Sequence, residues 1–274
     1  MKKILSLLLA TALFLVACGN KNETKGAADS QGGAGKTEKL IVGATPVPHA
    51  ELLDLVKEDL KKEGIDLEVV KFNDYVQPNK VLQSKEVDAN FFQHIPYMED
   101  FGKKNNIELS AVGNIHLEPM ALYSKKIKNV SDLKNGDTLI IPNDPTNGGR
   151  ALILLDKAGI IKLKDNTKLD ATPADIVQNP KNIKIETLSN EQIAPRLSEV
   201  AGAIINSNFA IDAGVTKNEI ILIEGKDSPY VNIVTVLKGN ENDERVKKLV
   251  KALQSEKVKK YIEEKYKDVI VPVF

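Results

Sequence analysis

From Leu40 onward, short apolar runs alternate with stretches patterned for a helix, and this alternation narrows the possible folds more than any other feature. "KLIVGATP" is a β-rich run bounded by Gly and Pro, and "HAELLDLVKEDLKKEG" repeats apolar residues at helical spacing before stopping at Gly64. "IDLEVVKF" reads as a strand, "VQPNKVLQSKE" as a helix, and "VDANFF" as a strand running into a loop. The order restarts with "DTLIIPND" as strand, "TNGGRALILLDKAGI" as a loop entering a helix, and "IKIETL" as strand. "NEQIAPRLSEV" reads as a helix interrupted or begun near Pro195, and "AGAIINSNFAIDAG" as strand, loop and helix. This predicts an α/β fold with open, mostly parallel sheets.

Two rounds of the pattern predict two lobes built on one plan. The apolar stretches "LEPMALYSKK" (117–126) and "SPYVNIVTVLKG" (228–239) are the expected crossings between them, and "DERVKKLVKALQSEKVKKYIEEKY" is an amphipathic helical return. The expected division puts 39–118 and 233–274 in lobe 1 and 119–232 in lobe 2, with a ligand in the cleft between.

The first residues are of another kind. "MKK" is a basic start, and "ILSLLLATALFLVA" is an apolar run too short to serve comfortably as a permanent span. It ends at Cys18, the only cysteine, where a lipobox needs one. Residues 1–17 are therefore expected to be a lipoprotein signal peptide, and Cys18 a lipidated residue tethering the chain to the extracytoplasmic face of the cell membrane. Residues 18–38 are Gly-, Ser-, Ala- and Lys-rich and read as a flexible linker. A single cysteine leaves no disulfide and no spare thiol nucleophile. Lys+Arg and Asp+Glu balance at 38 each, which gives no reason to expect nucleic acid.

In open α/β sheets ligands sit beyond the carboxyl ends of the strands. That rule selects the loops Thr45–His49, Asn90–Tyr97, His116–Glu118, Pro142–Arg150 and Asn206–Phe209. They hold all three histidines, the ring-dense "NFFQHIPY", and Arg150, one of only three arginines. Backbone N–H groups at a helix start with an Arg beside them suit an anion, above all a carboxylate gripped by a guanidinium fork; a structural ion pair is the plainer alternative. The loop lacks the Gly pattern and Lys of a P-loop. Tyr75, Phe91, Phe92 and Tyr97 can each be core. Adjacent residues of an extended segment face opposite sides, however, so one of Phe91 and Phe92 can face the core while the other, expected to be Phe92, faces the cleft. Aromatic walls suit an apolar or thioether side chain, and with an Arg for a carboxylate the set fits an α-amino acid. The competing reading is a zinc or other metal receptor using His49, His94, His116 and Glu118. A third is an adhesin or scaffold with a degenerate cleft. No G-x-S-x-G, H-E-x-x-H or spaced Ser–His–acid set points to an enzyme, and no cofactor is expected.

"VGATPVPHAE", "FNDYVQPN", "VDANFFQHIPY", "GNIHLEPMALYSKK", "IPNDPTNGGRAL", "INSNFA" and "SPYVNI" together resemble the substrate-binding lipoproteins of methionine ABC importers, from about residue 40 to the end. The resemblance implies a type II periplasmic-binding-protein fold with two hinge crossings. It also implies a cleft for methionine, L-methionine first, and delivery to a permease driven by a cytoplasmic ATPase. Tyr75, Phe92 and Tyr97 resemble the wall around the methionine side chain. His94, His116 and Glu118 stand at polar cleft positions, and Arg150 resembles the carboxylate anchor. Asn206 and Asn232 resemble the amides that orient the backbone end of the ligand, with Asn208 a further candidate. D-Methionine and methionyl dipeptides are alternative cargoes of such proteins.

Overall fold

The computed structural model describes residues 37–274 apart from 226, 227 and 268. The expected signal peptide, Cys18 and the linker as far as residue 36 lie outside the described residues. Among those described, no helix is long and apolar enough to cross a membrane. In chain order the first lobe runs β1 (Glu38–Ala44), α1 (Glu51–Lys62), β2 (Ile65–Lys71), α2 (Gln77–Gln83), β3 (Ala89–His94), α3 (Ile95–Asn105) and β4 (Leu109–Leu117). The chain then crosses to β5 (Ala121–Tyr123), β6 (Thr138–Pro142), α4 (Pro145–Lys157), the short strands β7 (Lys162–Leu163) and β8 (Ile176–Gln178), and β9 (Lys184–Leu188). It continues through α5 (Asn190–Ile193), β10 (Gly202–Ile205), α6 (Ser207–Asp212) and β11 (Ile220–Ile223). It returns as β12 (Val231–Leu237), α7 (Glu244–Leu253), α8 (Glu256–Tyr266) and β13 (Val271–Pro272).

Strand order in the first sheet is β13-β4-β12-β3-β1-β2, and in the second β11-β5-β10-β6-β9. Each sheet places its first α/β strand between the next two, β2-β1-β3 in one and β9-β6-β10 in the other, and these pair in parallel. The next strand out, β12 or β5, is antiparallel and is the one that arrives from the other lobe. The single plan expected for both lobes is therefore present, with antiparallel strands on one side of each parallel core. Val231, the first residue of β12, pairs with Leu117, the last of β4. The first sheet thus resumes two residues before the expected boundary at 233, because "SPYVNIV" carries no breaker where pairing begins.

The helices form for the reasons visible in their spacing. Leu52, Leu53, Val56 and Leu60 of α1 are buried against the first sheet, each worth about 1.5–3 kcal/mol relative to exposure. Gly64 then takes φ +79°, the left-handed conformation that ends the helix cheaply. The C-terminal return is two helices, not one, broken at Ser255. Val246, Leu249 and Leu253 of α7 and Val258, Ile262 and Tyr266 of α8 join the same core. Leu139, Ile141, Leu152 and Leu155 anchor a separate core in the second lobe. A third apolar cluster joins Tyr75, Phe92, Tyr97 and Phe101 of the first lobe to Ile193, Leu197 and Phe209 of the second, so the lobes meet closed.

Candidate functional site

Strand register builds one wall. Asn232 of β12 lies opposite His94 of β3 on one side and His116 of β4 on the other, so three polar side chains stand in a row across the carboxyl end of β3. The strand β3 extends through His94, and α3 starts at Ile95 with no loop between, which corrects the expected loop at 90–97. His94 caps that helix: its Nδ1 accepts from the N–H of Tyr97 at 3.2 Å. Phe91 and Phe92 fall on opposite faces, as an extended backbone requires. Phe91 is fully buried in the first-lobe core, edge-on to His49 and His116. Phe92 sits with Tyr75 and Tyr97, its ring centroid 5.7 Å and 6.0 Å from theirs.

The second lobe supplies the opposite wall from helix starts. Asp144 caps α4, its Oδ1 accepting from the N–H of Asn147 at 2.9 Å. That helix start is therefore already served by a carboxylate. The glycines there answer to packing: a Cβ on Gly149 would lie 2.1 Å from the carbonyl oxygen of Leu169. Arg150 is inside α4, not in the loop before it, and is 2% exposed. Its Nη2 donates to Glu224 at 2.5 Å and to the backbone oxygen of Glu118 at 2.8 Å. Its guanidinium also stacks 4.2 Å from the Tyr230 ring centroid. The plainer structural ion pair is thus real, and Arg150 still lines the cavity.

The side chains of the two lobes nearly fill that cavity, leaving free room for about one water. Tyr75, Phe92, Gln93, His94, Tyr97, Glu118, Asn147, Arg150, Asn206 and Asn232 line it. Of the residues singled out from sequence, His49, His116 and Asn208 lie outside the lining; His116 is withdrawn behind it and donates from Nε2 to Glu118 Oε1 at 2.8 Å. Asn208 bonds across the lobes, accepting from the Tyr75 hydroxyl at 2.5 Å. Gln93, Asn147, Glu224 and Tyr230 were not picked out from the sequence. The nearest signal for two of them was "PTNGGR" for Asn147 and "SPYVN" for Tyr230.

Burial dominates the electrostatics. It drives the His49 imidazole down to about 4, against the pull of the Glu118 carboxylate. It drives His94 to about 3, with the Arg150 charge adding to the effect. Both rings are neutral at pH 7. Burial alone would raise Glu118, but the bond from His116, the neighbouring histidines and the N–H of Asn208 hold it below its ordinary range. Burial pushes the Tyr75 hydroxyl well above its usual value.

Donor atoms of His49, His116 and Glu118 lie within 4.8 Å of one another, a set that can hold a metal ion. His94 does not join them, since its Nε2 bonds Asn147 Oδ1 at 3.1 Å. The fourfold ligand set considered from sequence is therefore reduced to three.

The sequence model described as NlpA lipoprotein matches residues 40–274. "Outer membrane lipoprotein 2" of Mannheimia haemolytica is 42% identical, covering 94% of this chain and 93% of its own. "D-methionine-binding lipoprotein MetQ" of Escherichia coli O157:H7 is 45% identical over 82% of this chain and 86% of its own. A solved nutrient-binding protein of Burkholderia cenocepacia, bound to methionine, superposes with TM-score 0.83 at 40% identity, covering 86% of this chain and 100% of that one.

Proposed function

The chain belongs to the NlpA lipoprotein family, and we propose that it is the methionine-capturing receptor of an ABC importer. The observation that carries this is the division of the interlobe cavity: three rings, Tyr75, Phe92 and Tyr97, beside Arg150 and the amides Asn206 and Asn232. Rings suit a thioether, and a guanidinium suits a carboxylate. Methionine carries both groups on one small skeleton. Its side chain lies along the rings, its carboxylate meets Arg150 and Asn232, and its ammonium meets Asn206.

Because both lobes touch one ligand, occupancy favours the closed arrangement over an open one. The permease of the importer, with its ATPase, reads the closed form and receives the methionine unchanged. Lipid on Cys18 holds the receptor to the extracytoplasmic face of the membrane, and the linker raises its effective concentration at the permease. The expectation from sequence was the L enantiomer, whereas the E. coli relative is named for the D form. Calorimetric titration of ligand-stripped protein with L-methionine, D-methionine and methionyl dipeptides decides among them. Absence of heat with all three overturns the proposal.

A metal receptor is the second reading, favoured by the clustered donors of His49, His116 and Glu118. The bond from His116 to Glu118, the approach of His49 to the same carboxylate and the bond from His49 to Asn232 account for the cluster without an ion. Stoichiometric metal in protein purified without chelator would reverse that preference.

A further inference from the structure

We propose that Asp144 and His49 act as positioning residues that set the polarity of the two cleft amides, so that an α-amino acid enters in one orientation only. This rests on the methionine reading above. Asn147 donates from Nδ2 to both carboxylate oxygens of Asp144, at 3.0 Å each. A carboxylate only accepts, so the amide nitrogen of Asn147 must face Asp144 and its oxygen must face the other way. That oxygen accepts from His94 Nε2 at 3.1 Å and from Asn206 Nδ2 at 3.0 Å. The Nδ1 of His94 is already an acceptor for Tyr97, which keeps its proton on Nε2 and agrees with the same direction. Asn206 therefore turns its nitrogen away and leaves Oδ1 buried without a partner among the described residues. An unsatisfied buried acceptor is costly, and an ammonium group satisfies it.

The opposite wall is set in the opposite sense. His49 Nε2 lies 3.1 Å from Asn232 Oδ1 and 3.4 Å from Glu118 Oε1. The carboxylate fixes the proton on Nε2, and Nδ1 then accepts from the Thr45 hydroxyl at 2.7 Å. The oxygen of Asn232 is thereby occupied, and its Nδ2 donor is left for the cavity it lines. One amide offers an acceptor and the other a donor. That matches the ammonium and carboxylate of an amino acid and mismatches the reverse placement.

The test compares methionine, in its tighter-binding enantiomer, with the matching 2-hydroxy-4-methylthiobutanoate, in which a hydroxyl replaces the ammonium. Asp144→Asn keeps a good helix cap but no longer forces the Asn147 amide. It is expected to cut the preference for methionine over the hydroxy acid by about tenfold or more, with affinity for the hydroxy acid held within about threefold. Equal losses for both ligands, or none, overturn the proposal. Should circular dichroism show that variant unfolded, Asp144→Ser serves the same comparison. For the other wall, His49→Leu should narrow the preference for methionine over methioninamide, and His49→Gln, which can still donate, should restore it. Failure of Gln to restore it counts against the His49 arm. A wild-type protein that binds no methionine removes the premise as well; one that binds it, with variants of unchanged preference, removes the polarity assignment alone.

Discussion

The two lobes share a strand plan but bring different chemistry to the cleft. The first contributes the rings, with Phe92 and His94 from β3, Tyr75 from just after β2 and Tyr97 from the first turn of α3, while His49 and His116 stand behind the lining. The second contributes Asn147 and Asn206 from helix starts and Arg150 from inside α4, with one cation and no ring in the cavity lining. The rings thus come from one lobe and the guanidinium from the other, while Asn232 adds a polar group to the first lobe's side. On the proposed reading neither half alone presents a complete site.

The sharpest break in that comparison is within β3. Phe91→Ala should cost roughly 3–5 kcal/mol of stability, as for a large core ring, yet leave methionine affinity nearly intact where the protein is folded. Phe92→Ala should instead cost affinity, and more for methionine than for alanine. If the two variants behave alike in denaturant titration and calorimetry, the two faces of the strand are not distinct. Next in size, Arg150→Ala should weaken methionine binding by about a hundredfold, since removing one partner of a buried charge pair costs roughly 2–5 kcal/mol. Unchanged affinity would move the polar half of the site off the second lobe.

Acid should act on the first lobe. His49 and His94 fall from 6.5 in the unfolded chain to about 4 and about 3 when folded. The unfolded chain therefore binds more protons below about pH 6.5. The folded form is at full strength above that pH and loses up to about 1.4 kcal/mol per pH unit for each ring as pH drops toward 4. Glu118, held low, adds a loss in the same direction below its unfolded value of 4.5. Denaturant midpoints at pH 7, 6 and 5 should fall in order, and less steeply in His49→Asn. The smallest effect concerns the crossing itself. Ser207 donates to the Pro119 carbonyl at 2.6 Å, and Ser207→Ala should cost about 1 kcal/mol, read by urea titration.

Much of this was legible in the chain. Periodicity located the α/β alternation, the rule of strand ends selected the loops holding Phe92, His94, Tyr97, Arg150 and Asn206, and the family resemblance added Tyr75 and Asn232. What was missed depends on partners far away in sequence. Asn147 matters because Asn206, 59 residues on, turns toward it. Glu224 matters because Arg150, 74 residues back, reaches it. Periodicity reports which face of an element is apolar, and it carries no record of which polar group on one lobe answers another. The loop expected after "VDANFF" is absent for a similar reason: His94 serves as both strand end and helix cap, and a histidine cap has no pattern in sequence.

The pairing of Leu117 with Val231 has a consequence for how the molecule moves. Those residues form the base of an antiparallel hairpin, and everything from 118 to 230 is its loop. The second lobe is therefore an ornament on one turn of the first. Both of its stems leave from neighbouring points on the backbone, so they can twist or bend together but cannot slide apart. Closing so long a loop costs little more than closing a short one, because that entropy grows only as the logarithm of length. A hairpin can host a whole lobe on those terms, and its narrow base makes opening a rotation about a single short axis.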